Sequence, residues 1–203
     1  DLFKYDGTEE LQWQNYKDYG GNALTTYTYT FDTGFDGWTA IDGNNDGYTF
    51  FHSTESTTYL GMDLSTYLNS GCIVGESFNN IAPTSNLYPN DYLVAPKKFH
   101  IVEGAKISLY LASLYDVEYK EQIGIAVSTA DVPTASDFTT VLAWELPGYG
   151  EWYKLEQDLN QYAGQDVWIA IHHCTSTPQW FFLMEDITIT ACGHDFEESF
   201  EQG

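Results

Sequence analysis

The sequence contains no arginine. Its 7 cationic side chains are all lysines, set against 30 Asp and Glu, which leaves a formal net charge of −23 over 203 residues. That balance excludes a nucleic-acid binder, because neutralising phosphates needs clustered cations and reading bases leans on arginine. An anionic membrane surface is disfavoured on the same grounds. Long hydrophobic runs are missing too: no stretch approaches the roughly 20 apolar residues of a membrane helix, so no direct membrane insertion is expected. The opening Asp1-Leu2-Phe3-Lys4 lacks the apolar run of a signal peptide, which predicts that a leader has been trimmed or that the chain is an excerpt. Cysteine is scarce, and Cys72, Cys174 and Cys192 form no short-spaced metal motif; an odd number leaves at least one thiol free or paired outside the chain. Apolar residues are not scarce. At 43% hydrophobic and 17% aromatic, the chain has the apolar surface that disordered acidic chains lack, so it should fold. With 16 Tyr, many Ser and Thr and few lysines, the composition leans towards an exported β-rich protein.

Helical signals are also few. The runs between Gly, Pro, Asn and Asp clusters are short, rich in β-branched and aromatic residues, and often alternate with period two. In residues 106–111 this puts Ile107, Leu109 and Leu111 on one face; 122–127 does the same with Ile123, Ile125 and Val127, and 166–173 with Val167, Ile169 and Ile171. Residues 181–191 end with Ile187, Ile189 and Ala191 facing inward, which turns Asp186 away from the core, to a rim or a site. Further strands are expected at 25–31, 48–52, 71–76, 92–97, 139–145 and 151–155, and short helical turns at 132–137 and 155–163, the latter ending at Gly164. So many short strands read as an all-β two-sheet sandwich or barrel. Residues 1–24 are polar and poorly periodic, closing on Gly20-Gly21-Asn22, and read as a linker or the tail of a preceding element.

The most informative segment is Asp42-Gly43-Asn44-Asn45-Asp46-Gly47-Tyr48. Oxygen side chains at relative positions 1, 3 and 5, followed by Gly at 6, match a calcium loop, with the Tyr48 carbonyl as the position-7 ligand. Calcium is a hard ion that takes six to eight oxygens, and a tight loop aims Asp42, Asn44 and Asp46 at one point. Position 12 departs from the EF-hand pattern, since Ser53 stands where a bidentate Glu belongs, and the flanks are strands. The missing charge must come from elsewhere in the chain, with Asp32 and Asp186 the best candidates. The bland alternative is a hairpin turn rich in Asp, Asn and Gly because those residues tolerate turns.

Just before this loop stands Phe31-Asp32-Thr33-Gly34-Phe35-Asp36-Gly37-Trp38-Thr39. With the loop, Asn90-Asp91-Tyr92-Leu93-Val94-Ala95-Pro96, Val127-Ser128-Thr129, Asp137-Phe138, Asp158-Leu159, Tyr162-Ala163-Gly164-Gln165 and Glu185-Asp186-Ile187, it makes an ordered set over about residues 30–192. In that order and spacing the chain resembles the cleaved adhesin domain family, known from the haemagglutinin/adhesin regions of gingipain proteases of Bacteroidetes. The resemblance implies a jelly-roll β-sandwich of two antiparallel sheets, calcium near the loop after the first strand, and adhesion without catalysis. It also implies an acidic calcium cluster of Asp32, Asp42, Asn44, Asp46 and Asp186. Two places depart from the family pattern: Asn44, where a second loop Asp is common, and His172-His173, where an Arg-His pair is common.

Other residues invite sharper chemistry. His172, His173 and Cys174 are consecutive, but neighbouring strand residues point to opposite faces, so the two histidines do not converge on one metal and read as structural. Cys72 with a histidine evokes a thiol protease, yet no signature supplies nucleophile, base and oxyanion donor together, so no enzyme is expected. Most of the six tryptophans should be core. Trp144, Tyr149 and Trp152 bracket the Pro147-Gly148-Tyr149-Gly150 turn and are the expected edge of a ligand surface.

The expectation is one jelly-roll domain over residues 25–193, acting as a calcium-bearing, non-catalytic adhesion or binding module of a secreted or surface-anchored protein. Its partner is a host or matrix protein or a glycan; the alternative is a carbohydrate-binding module appended to a hydrolase. Residues 194–203 read as a linker or the start of a following module, because Phe196-Glu197-Glu198-Ser199-Phe200 echoes Phe31-Asp32-Thr33-Gly34-Phe35.

Overall fold

A computed structural model describes residues 23–53, 58–59, 62–63, 71–79, 86–113, 120–146, 151–175, 177 and 179–193. The strands are β1 (Leu24–Tyr29), β2 (Thr39–Asp42), β3 (Phe51–Ser53), β4 (Thr58–Tyr59), β5 (Met62–Asp63), β6 (Cys72–Glu76) and β7 (Asp91–Val94). They continue as β8 (Phe99–His100), β9 (Lys106–Ser113), β10 (Gln122–Ser128), β11 (Thr139–Glu145), β12 (Trp152–Asp158), β13 (Asp166–His173) and β14 (Phe181–Cys192). Two antiparallel six-stranded sheets pack as the expected jelly-roll sandwich, and β4 and β5 form a separate pair. One sheet runs β12-β9-β14-β6-β3 with β1 also on β14; the other runs β11-β10-β13-β7-β2 with β8 also on β13.

The alternating apolar residues fill the space between the sheets. Ile107, Leu109 and Leu111 of β9, Ile123 and Ile125 of β10, Val167, Ile169 and Ile171 of β13, and Ile187 and Ile189 of β14 are all fully buried there. Each such side chain contributes about 1.5–3 kcal/mol by leaving water.

The 12-residue β14 organises its sheet. β9 runs along one side of it, while β6 takes Phe181–Met184 on the other side and β1 takes Ile187–Cys192. The inward residues change from the even positions Phe182 and Met184 to the odd positions Ile187, Ile189 and Ala191. A period-two strand changes parity only by inserting an extra residue, and the register with β9 shifts between Glu185 and Thr188. Asp186 takes the bulge with φ 53°, and its side chain is exposed, as the alternation predicted.

Several sequence expectations change. Leu155–Asp158 belong to β12, paired with β9 from Leu155 opposite Leu109 to Asp158 opposite Lys106, and only Asn160–Tyr162 form a 3-10 turn. Register against β9 prevails over the weak helical propensity of Leu-Glu-Gln-Asp. In 132–137 only Ala135–Asp137 is helical, and the strand expected at 48–52 is Phe51–Ser53. β2 and β8 were not anticipated; both are short edge pairings that propensity does not signal. β1 starts at Leu24, inside the segment read as linker. Residues 1–22 and 194–203, including the Phe196–Phe200 echo, lie outside the described residues.

Candidate cation site and its acidic surroundings

The Asp42–Gly47 loop is a turn wound on its own carboxylates. Asp42 accepts the backbone N–H of Asn45 on Oδ1 (2.6 Å) and that of Gly47 on Oδ2 (2.8 Å), and Asp46 accepts the N–H of Tyr48 on Oδ1 (2.8 Å). Asn45 (φ 58°) and Gly47 (φ 85°) take the left-handed conformations that such a turn needs. Position 43 admits only glycine, because a Cβ there would collide with the Asn90 carbonyl. The departure at Asn44 has a structural reason: its Nδ2 donates to the carbonyls of Leu87 (3.1 Å) and Tyr88 (3.0 Å) and to Asp46 Oδ2 (3.0 Å). An aspartate has no N–H to give.

Behind the loop stand two acids that sequence reasoning did not single out as ligands. Asp91 pairs with Asp42 across β2 and β7 and is 4% exposed. Burial pushes its carboxyl up to about 7; a 3.4 Å hydrogen bond from the Gly43 N–H opposes this, while the charges of Asp42 and Asp46 add to it. Glu76, at the end of β6, is 7% exposed, and its Oε2 is buried without a hydrogen-bond partner. Its pKa is raised by burial, opposed by the Asn79 amide on Oε1 (3.0 Å), and raised further by Asp46 and Glu121.

The residues expected to meet at one point fall into two groups. Asp32 and Asp186 are neighbours of Glu185, whose carboxyl is pushed up to about 7 by burial and then by those two charges. Register sets this group apart from the loop. The Phe182 ring lies 5.0 Å from that of His173, His173 pairs with Asp91, and Asp91 with Asp42. Asp186 is four residues further along β14, about 13 Å at the usual rise, and on the opposite sheet. Among the described residues no three His, Cys, Asp or Glu side chains stand as a closed metal cage.

The histidines face opposite sides of β13. His172 points outward, stacked on Tyr92 (4.2 Å, 8°) between Asn90 Oδ1 (2.8 Å) and Thr140 Oγ1 (2.7 Å); burial and then His173 push it down to about 4, so it is neutral. His173 points inward, 2.9 Å from Glu121 Oε2. Glu121 is fully buried and also accepts the Ser77 and Thr175 hydroxyls, both at 2.6 Å, and the Trp180 N–H at 2.9 Å. Burial alone would raise its carboxyl, but the His173 hydrogen bond and charge, then Ser77 and Thr175, bring it below its ordinary value. Serine, glutamate and histidine meet here in the wrong order for a catalytic triad: the carboxylate stands between the other two, so the imidazole does not reach the hydroxyl. Burial pushes the Cys72 thiol up to about 12, helped by Glu185, and that of Cys174 up to about 11, which keeps both as poorly nucleophilic thiols.

The two tryptophans expected at a ligand edge do not share a face. Trp144 packs on the main core, edge-on to Tyr153 at 6.2 Å, whereas Trp152 joins Phe51 and Trp180 over Val74 and Leu183 on the outer side of the other sheet. Tyr149 lies outside the described residues.

Fold and site together define a jelly-roll module that carries an acidic loop at one end and a second acidic group at a strand bulge. A model of the Cleaved Adhesin Domain matches residues 24–189, and the chain belongs to that family. It is 26% identical over 210 residues to Hemagglutinin A of Porphyromonas gingivalis, an alignment covering 92% of this chain and 9% of that protein. The chain thus spans about a tenth of the length of this curated relative. Its fold is similar to the K1 and K3 cleaved adhesin domains of Lys-gingipain from the same species. These match with TM-scores of 0.66 and 0.65 at 24% and 21% identity, each over 83% of this chain and 99% of theirs.

Proposed function

We propose that this chain is a non-catalytic, calcium-stabilised adhesion module of a secreted or cell-surface protein that binds a host or matrix protein or a glycan. The reading is carried by one observation within an adhesin-family sandwich: the Asp42–Gly47 loop is backed by a buried Asp91 and by a buried Glu76 oxygen that no donor satisfies. Buried carboxylates in mutual repulsion cost stability unless something cationic balances them. Calcium fits the donor set, which is all oxygen and irregular, whereas Mg²⁺ demands a stricter octahedron. Asp42, Asn44, Asp46 and the Tyr48 carbonyl, with Asp91 and Glu76 behind them, would hold one ion; Asp32, Glu185 and Asp186 are the candidates for a second. When bound, calcium supplies positive charge that offsets the repulsion and fixes the loop.

The adhesin half of the reading draws on the family and on the haemagglutinin name of the relatives. Its test is adherence of bead-coupled chain to erythrocytes and to immobilised matrix proteins in millimolar calcium. Saturable adherence that free chain competes away is the expected result. No adherence to any of these surfaces by folded, calcium-loaded chain would overturn it.

A further inference from the structure

A groove of about 730 Å³ opens on the outer face of the second sheet, between the Asp42–Gly47 loop and the turn that leads into β11. That size is typical of small-ligand sites. Its floor is apolar, formed by Ile41, Pro133 and Phe138, and its rim carries Asn45, Asn90, Thr134 and Ser136, all exposed.

Both walls are held in place from behind. On the loop side, Asp42 ties the turn through Asn45 and Gly47, and Gly43 packs directly against the Asn90 backbone. The Asn90 amide is oriented by His172 Nε2 on its Oδ1 (2.8 Å) and by the Tyr92 hydroxyl on the same oxygen (3.3 Å). On the opposite side, Asp137 accepts the Thr134 N–H (2.8 Å) and hydroxyl (2.7 Å), which fixes the turn that presents Ser136. A site whose polar groups are locked before binding loses little entropy when a ligand arrives.

The lining selects a ligand class. Among the described residues no lysine lines the groove, His172 beneath it is neutral, and the chain carries a net charge of −23, so phosphate, sulfate and carboxylate ligands are repelled. Among the described residues that line it Asp42 alone is charged, and its carboxylate is committed to the loop, where it accepts the Asn45 and Gly47 N–H groups and is a ligand of the proposed calcium ion. What remains is the Asn45 amide, the Asn90 Nδ2 donor and the hydroxyl oxygens of Thr134 and Ser136, donors and acceptors above an apolar floor. Vicinal hydroxyls with C–H faces between them match that arrangement. We propose that the groove between the Asp42–Gly47 loop and the Thr134–Phe138 turn is a binding site for a neutral carbohydrate. The inference deepens the adhesion reading, and rests on it, by naming the ligand class.

The test is an NMR titration of the labelled full chain in millimolar calcium with cellohexaose, xylohexaose, mannohexaose and lactose, and with octalysine and sialyllactose as charged probes. Ser136→Trp places a bulky ring in the groove from an exposed position; Thr188→Trp, at a half-buried position on the other sheet, is the control for the added ring. Saturable binding of a neutral sugar, with shifts confined to residues 41–45, 90–92 and 133–138 and at least tenfold weaker binding in Ser136→Trp but not in Thr188→Trp, is expected. No binding by any neutral sugar, binding unaffected by Ser136→Trp, or preference of these residues for octalysine or sialyllactose would overturn it. If Ser136→Trp still adheres to erythrocytes as the unchanged chain does, the groove proposal fails while the adhesion reading stands.

Discussion

Asn44 shows how a residue that looks like a weakened ligand is also a structural clamp. By charge alone, Asn44→Asp should improve a cation loop. In the fold its amide satisfies two backbone carbonyls, at Leu87 and Tyr88, that an aspartate would instead repel. Asn44→Asp should therefore destabilise the calcium-free chain by about 1–3 kcal/mol, the usual cost of stranding such groups. Denaturant melts in EDTA check this; an unchanged or higher midpoint would show that the clamp contributes nothing. The acids behind the loop were less legible than the loop itself. Asp42, Asn44 and Asp46 declare their chemistry by spacing within a few residues. Asp91 and Glu76 become part of the site only through the pairing of β7 with β2 and the placement of β6, which local sequence does not encode.

Among the elements, β14 joins the two ends of its sheet, serving β9 on one side and both β6 and β1 on the other. Ile189 is fully buried between the sheets, whereas Thr190 faces outward and shares a 3.3 Å exposed contact with Thr26. Ile189→Ala should cost about 2–5 kcal/mol as a buried large-to-small change, and Thr190→Ala within about 0.5 kcal/mol as a surface one. Equal losses measured by urea denaturation would contradict the inward and outward assignment. The same alternation made β9, β10, β13 and β14 readable from sequence, and the parity change from Phe182 and Met184 to Ile187 and Ile189 marks the bulge at Asp186. β12 was only partly readable. Leu155-Glu156-Gln157-Asp158 has no β-branched residue, and it is a strand because β9 offers a register partner for each of these positions. The tryptophans misled for a related reason, since Trp144 and Trp152 flank one turn but belong to edge strands of different sheets.

For the whole molecule, buried acids give stability a pH profile whose sign can be worked out. Asp91 and Glu185 have folded values raised to about 7, so between about pH 4 and 7 the folded chain binds more protons than the unfolded one, and stability falls as pH rises through that window. Glu121 acts in the opposite direction at lower pH. Its folded value lies below 4.5, so its contribution is present above 4.5 and lost as pH falls through the folded value. His172, neutral in the fold down to about 4, opposes the decline up to its ordinary value of 6.5 without reversing it, since one imidazole stands against two carboxyls. In EDTA, urea midpoints should accordingly peak between about pH 4 and 5 and decline towards about pH 7, and calcium should flatten the decline by taking the place of the protons. A profile in EDTA that rises steadily to pH 8 would contradict the burial of these carboxylates.

The central claim is that a cation balances the acidic groups of this sandwich, and a thermal melt tests it most directly. The unchanged chain and Asp46→Ala are each melted in EDTA and in millimolar calcium, with bound metal counted by elemental analysis. The account predicts a stabilisation of the unchanged chain by about 2.7 kcal/mol at a hundredfold excess of calcium over the dissociation constant. It also predicts a smaller effect of Mg²⁺ and a reduced calcium response in Asp46→Ala. Equal melting temperatures in all four samples, with no metal bound, would contradict it and leave Asp42–Gly47 an ordinary turn.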